Sequence, residues 1–593
     1  MEEGPPASSV SSINPTEAFL RLILLARKLV STYLSPGDLD LGPCSIEQYV
    51  AKKDPFRVAP TGKIPVSWPH DDKTHHFTGD RYTVFNEALE DSTRAVLKRF
   101  GIKLRTTTVK KLTPRGFPAA EDQTVIFFTL DTETDTSRWQ EAVDYIYEMV
   151  NEAAAKAGKT MGVELENPFN SCTDISSAIC PGTSLYRSLL QIEPVVLAEV
   201  RKLCPGVWTS IAYHNRQNKF AVTVGVGIQQ PTVIVYVMPG SLASWGEVEA
   251  HIRRAIEAVP VEEDVEIALD ILLGFNNPST APSKAYTPTT SHHPRFQFDI
   301  PHVPILGASI GPQLSDTDSG SLGAIVNFHP RGGGEPQKCF LTAYHVITSG
   351  DPIGRAVNDE HGIGLDGRAV DRRIEIASPA CCDGEHTKEK LAGFVKTSTN
   401  PKKSCYAELV AFIEREGVIG EVIHASGLRY SSAGDRRCRM DWALVALHPA
   451  KDGVLNLPPS ASRFSHPYSD HEESPPYNYY TKPGDVISRS GELTAFSWAA
   501  KFDTGAWGTT GQVNGMKRTV CWGDGVVSKE VEVIPLEFSF AEGGDDGSMV
   551  FNAKKEWVGM VVGSDSEYVG YVTPAADIIA DIEARTGGTI TLV

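Results

Sequence analysis

Three short stretches carry the residues that could do chemistry. His345 closes the apolar run in FLTAYHVITSG, Asp441 opens the run in MDWALVALHP, and EGGDDGSMVF is a glycine-rich turn feeding another apolar run. They follow in that order, 96 residues from His345 to Asp441 and 105 from Asp441 to Asp546 in the turn. A histidine acting as base, a carboxylate that orients it, and a turn presenting a nucleophile beside two backbone N–H donors make an acyl-transfer machine. Each stretch alone has an ordinary meaning: a packed histidine, a strand-entry carboxylate, a β-turn. Their order is what points to shared chemistry.

The elements that must position these groups lie between residues 301 and 593. Short apolar runs (GAIVNFH, KCFLTAYHVI, DWALVALH, GDVISRSG, SMVFN, EWVGMVVGS, GYVTP) alternate with Gly-, Pro- and Asp-rich turns, the pattern of an all-β barrel or sandwich. TPAADIIADIEART (573–586) has Pro574 near its start and apolar residues at helical spacing, as a terminal helix requires.

With these motifs, residues 301–593, about half the chain, resemble the chymotrypsin-like (trypsin-like) serine peptidases, an all-β double-barrel fold. LTAYHV is similar to the family's T-A-x-H motif, which implies His345 as general base. DWALVAL is similar to its Asp-x-Ala-Leu strand, which implies Asp441 as the orienting carboxylate. GDDGS is similar to its G-D-S-G loop, which implies the N–H groups of Gly544 and Asp546 as oxyanion-hole donors and places Asp546 where the serine belongs. EWVGMVVGS is similar to the strand lining the substrate cleft, which implies Val562 and Gly563 beside a substrate. The family's pocket base falls on Phe540, either an apolar base for an apolar side chain or a ring that fills the pocket as core. The disulfides of secreted members are absent around His345, so intracellular relatives are the closer comparison.

Asp546 is the departure. A carboxylate there has no proton for His345 to remove, and it puts negative charge where an oxyanion must form. Ser548 lies two residues on, where the pleat aims it elsewhere. An aspartyl mechanism with Asp441 and Asp546 flanking one water is disfavoured because His345 belongs between them. The expected protein is therefore a catalytically inactive trypsin-like homologue, binding a peptide or protein ligand at a retained cleft in binding or regulation, with no cofactor and no metal. The alternatives are an active intracellular serine endopeptidase, if Ser548 serves as nucleophile, and a structural scaffold. Two carboxylates beside His345 are expected to raise its pKa.

The N-terminal half reads as a duplicated α/β region. TVIFFTL (124–130) and TVIVYVM (232–238) are strand-like. Each is followed by a helical stretch opening on a tryptophan, Trp139 or Trp245, and then by a strand-like run, GVELEN or VEIALDIL. EDSTRAVLKRF (90–100) and EPVVLAEVRKL (193–203) are the helices that precede each unit. The expected division is a leader at 1–80 with one amphipathic helix over Phe19–Leu34, unit 1 at 81–170, unit 2 at 180–275, a Pro/Ser/Thr linker at 276–300 and the double-barrel domain at 301–593. Neither unit carries a nucleotide-binding loop or a catalytic cluster, so protein partnership or self-association is their expected role. PHDDKTHHF gathers His70, Asp71, Asp72, His75 and His76, and the linker holds His292 and His293; solvated polar segments are the simpler account of both.

The net charge of −18, with no block of five or more basic residues, argues against nucleic acid or an anionic membrane as partner. Ten scattered cysteines without a CxxC pair suggest reduced thiols. The start MEEGPPASS lacks the basic opening of a signal peptide, and a cytoplasmic location is expected.

Overall fold

The structure is a computed structural model that describes residues 42–73, 84–117, 120–131, 135–168, 174–218, 229–261, 265–277, 306–365, 372–385, 417–431, 437–449, 453–457, 485–502, 508–535 and 539–593. The helix expected over Phe19–Leu34, His75, His76, His292 and His293 lie outside these residues.

Helix Trp139–Lys156 crosses between strands Gln123–Leu130 and Gly162–Glu166, which pair in parallel. It forms because Trp139, Ala142, Val143, Ile146, Val150 and Ala154 recur at helical spacing, and all six are fully buried. Leu104–Pro114 lies antiparallel on the far side of Gln123–Leu130, and helix Glu87–Arg99 precedes it. The second region has the same order: helix Ser184–Leu203, then Trp208–Asn218 antiparallel to Gln230–Val237, helix Trp245–Glu257, and parallel Ala268–Leu273. Trp139 and Trp245 each open their crossover helix, and each is buried.

Three expectations about this half need correction. The stretch taken as leader is partly built into the fold: helix Ile46–Lys53 buries Ile46 and Tyr49 in the core under Trp208–Asn218, while Arg57–Val58 and His70–Asp72 edge the first sheet. The helix read from Glu193 begins at Ser184, capped by the Thr183 side chain, and runs through Pro194. Burial of Leu189, Ile192 and Val196 on one face offsets the hydrogen bond that Pro194 cannot make. Asn276 and Asn277, read as the start of a linker, form a strand against Asp565 and Ser564.

The C-terminal region contains a closed ring of six strands. Trp498–Phe502, Gly508–Val513, Val527–Pro535, Gly570–Pro574, Trp557–Asp565 and Met549–Asn552 pair in turn, and the last returns to the first. Beside it, a second sheet runs from Gly320–Ser321 through Ser309–Pro312, Glu375–Ala377, Val418–Ala425, Ala443–Leu447, Gln337–Thr342 and Ile325–His329 to Thr589–Leu592, without closing among the described residues. The two share one apolar core, including Phe340, Trp442, Phe551, Trp557 and Ile578 of the terminal helix Ala575–Thr586. The run GDVISRSG is not a strand: among its described residues only Ser490 makes a bridge, to Trp557.

The sheet of the second α/β region is continuous with the barrel. Trp208–Asn218 pairs antiparallel with Arg518–Cys521, Thr519 opposite Ile211 and Val520 opposite Ser210. Arg518, fully buried at this seam, donates to Ser210 Oγ and pairs with Asp565 at 2.8 Å.

Candidate functional site

Strand register brings His345 to Asp441. Gln337–Thr342 and Ala443–Leu447 pair antiparallel with Thr342 opposite Ala443. The chain leaves the first strand into the helical turn Tyr344–Ile347 and enters the second just after Asp441, so the two residues meet at one rim of the sheet. His345 Nδ1 lies 2.8 Å from Asp441 Oδ2, and the His345 backbone N–H donates to Asp441 Oδ1 at 2.9 Å. The buried Arg439 sits two residues earlier and places Nη2 2.9 Å from Asp441 Oδ2 as an ion pair.

The turn at Asp546 belongs to the closed barrel and is fastened from several sides. Gly544 and Gly547 both have φ near +90°, which a side chain resists, and a Cβ at Gly547 would lie 2.3 Å from Thr342 Oγ1. Asp545 accepts from Lys501 Nζ at 2.8 Å and from the Glu542 N–H, with Lys501 fully buried. Ser321 reaches across from the second sheet, its N–H donating to the Asp546 carbonyl and its hydroxyl to the Gly544 carbonyl. The N–H groups of Asp545, Gly547 and Ser548 are given to backbone carbonyls. Among the described residues those of Gly544 and Asp546 have no such acceptor.

This framework aims Asp546 Oδ2 at His345 Nε2, 3.0 Å away. The imidazole thus lies between two carboxylates, with 16 % of its side chain exposed. Burial works against its charge, but Asp441 and Asp546 outweigh it and raise the pKa to about 9. At neutral pH His345 is therefore an imidazolium donating from both ring nitrogens. Burial also opposes ionisation of Asp441, yet His345 and Arg439 hold its carboxyl well below the usual carboxylate range. Nε2 faces a carboxylate in place of a hydroxyl or thiol, so the base finds no proton to take at position 546.

The other candidate residues are buried. Phe540 is fully buried among Val533, Ala541, Val550 and Val572. Its ring fills the space under Gly570, where a Cβ would lie 2.5 Å from Phe540 Cδ1. Of the two roles expected for Phe540, the apolar pocket base is corrected in favour of core, because the ring offers no surface to a ligand. The Val562 side chain is fully buried in the core shared with the second sheet, and Gly563 is buried opposite Tyr571. Ser548 is fully buried and its hydroxyl donates to the Phe502 carbonyl at 3.1 Å.

The described part of the PHDDKTHHF cluster is not arranged for a metal. Asp71 pairs with Arg115 at 2.6 Å and Asp72 with Lys110, while burial pushes the His70 imidazole down to about 3. Among the described residues no group of three or more metal-ligating side chains converges. Sequence reasoning missed Arg439, Lys501 and Ser321. A lone lysine inside the apolar run WAAKF was a usable signal for a buried ion pair; Ser321 carried none.

A scan against protein-family models found no match, and a search of curated proteins found none. Among solved structures, the chain is similar to Thermobifida fusca protease A (14 % identity, 49 % of this chain and 100 % of that one, TM-score 0.25). It is also similar to Cellulomonas bogoriensis chymotrypsin (14 %, 49 % and 97 %, TM-score 0.23) and Nocardiopsis protease (11 %, 48 % and 98 %, TM-score 0.24). These likenesses are too distant to carry an argument; where two closed barrels were expected, the strand pairing above gives one closed six-stranded barrel beside a sheet that stays open among the described residues.

Proposed function

We propose that this protein is a trypsin-like peptidase homologue without peptidase activity, in which Asp546 closes the site as an ion triad and the domain acts in binding or regulation through an extended peptide or protein ligand at its cleft. The observation that carries the reading is the 3.0 Å contact between His345 Nε2 and Asp546 Oδ2, made while Asp441 holds Nδ1. The frame is that of a base and its orienting carboxylate, with a third member that cannot be an alkoxide. The committed hydroxyl of Ser548 supports the same reading. The shared element order of the two α/β regions, each with a buried tryptophan opening its crossover helix, supports an internal duplication. The described cysteines form no disulfide among the described residues, in keeping with a reducing, cytoplasmic setting.

A fluorophosphonate probe tests this. The wild-type chain is expected to take no label, while Asp546→Ser takes label at position 546. Labelling of wild-type Ser548 overturns the reading.

A further inference from the structure

Strand Trp557–Asp565 has two edges. One is covered by Gly570–Pro574, with Val561 opposite Val572 and Ser564 opposite Gly570. The other is covered by Met549–Asn552 from Trp557 to Met560 and then reaches the site: Gly547 N–H donates to the Val561 carbonyl, and Val561 N–H donates to the Ser548 carbonyl. Three residues along that same edge, about 10 Å at strand rise, Ser564 is paired again. Its partner there is Asn277, with Asn276 opposite Asp565, and the Ser566 N–H donates to the Phe275 carbonyl at 3.0 Å.

This short strand arrives from the second α/β region. It follows Ala268–Leu273, and Gly274 is the bend: its N–H donates to the Val237 carbonyl, and a Cβ there would lie 2.6 Å from Tyr236 Cδ1. Thr209 Oγ1 donates to the Gly274 carbonyl. The Asn276 side chain is tied on both faces, accepting from Tyr571 Oη at 2.8 Å and donating to the Thr209 carbonyl at 2.9 Å. Unit 1 closes over the next loop, where Arg115 stacks on Tyr568 at 3.9 Å and donates to the Ser566 carbonyl. Pairing Asn276 with Asp565 and Asn277 with Ser564 means the chain runs toward the site loop as its numbers rise.

We propose that Phe275–Asn277 is a built-in occupant of the cleft's strand edge, so that an extended peptide can pair beside the site only when this segment is displaced. Strand addition is how extended peptides commonly bind sheet edges, with backbone hydrogen bonds supplying affinity. Here those bonds are supplied in cis, and the α/β region that delivers the segment controls access. The proposal rests on the reading of the site as a peptide cleft, and the two can fail separately.

The test compares the full-length chain with Asn276→Ala, which removes the side-chain ties, and with Tyr571→Phe, which removes one of them and guards against a folding defect in the first. Hydrogen exchange of the Ser564 and Ser566 amides is measured, together with binding of a fluorescent synthetic peptide of residues 272–283. Exchange in Asn276→Ala is expected to rise about tenfold and peptide affinity about tenfold over wild type, with Tyr571→Phe between them. Equal binding by wild type and Asn276→Ala, with unchanged exchange, overturns this inference and leaves the cleft reading standing. Faster exchange with peptide bound by neither overturns the cleft reading and this inference with it.

Discussion

Replacing Asp546 with asparagine keeps the shape of the side chain and removes its charge, and the His345 pKa reports the loss directly. Two carboxylates at 2.8 and 3.0 Å raise that pKa to about 9 against the pull of burial. With Asp441 left alone against the same burial, the pKa in Asp546→Asn should fall below about 8. The folded value in the wild type lies above the unfolded reference of about 6.5. The stability from this triad is therefore fully present below about pH 6.5 and is lost as pH rises through about 9. At about 1.4 kcal/mol per pH unit, the rise corresponds to roughly 3 kcal/mol. Urea unfolding should show the wild type losing about that much between pH 6 and pH 10, with a clearly smaller loss in Asp546→Asn. Asp441 acts at the other end: its depressed pKa contributes stability above the unfolded carboxylate value that is lost as pH falls through the folded one. NMR titration of 13C-labelled histidine gives the pKa itself. An unchanged His345 pKa in Asp546→Asn would refute the argument, since it would mean the carboxylate at 546 does not act on the imidazole.

Lys501→Met should leave Asp545 as an unpaired buried charge and destabilise the chain by about 3–5 kcal/mol, whereas adding Asp545→Asn should recover much of that loss; thermal melts of the single and double variants check it. Phe540→Ala should cost about 3–5 kcal/mol because the ring is core; denaturant midpoints decide, and a loss under about 1 kcal/mol would return Phe540 to the role of a pocket base.

The linear pattern of residues was enough for the local elements. Helical spacing from Trp139 to Ala154 and from Trp245 to Ile256, and the apolar runs around Phe340, Leu444 and Val550, determine which stretches are helix and strand, because burial of a periodic apolar face acts over a few residues. The order of His345, Asp441 and the glycine-rich turn likewise marked out a site, since those residue types at strand ends have few other uses in combination. The rest depended on contacts between residues far apart in the chain. Nothing near Lys501 names Asp545 as its partner, and nothing near Ser321 names the turn it holds. The strand from Trp208 to Asn218 reads as an ordinary sheet member, yet its far edge is completed by Arg518–Cys521 of the barrel. Asn276 and Asn277 look like the opening of a linker, because a strand of two residues has no period to read. Register, edge occupancy and the partner of a buried charge are properties of a surface meeting another surface. Tertiary structure alone decided which residues fasten the turn that carries Asp546 and that the chain covers its own strand edge.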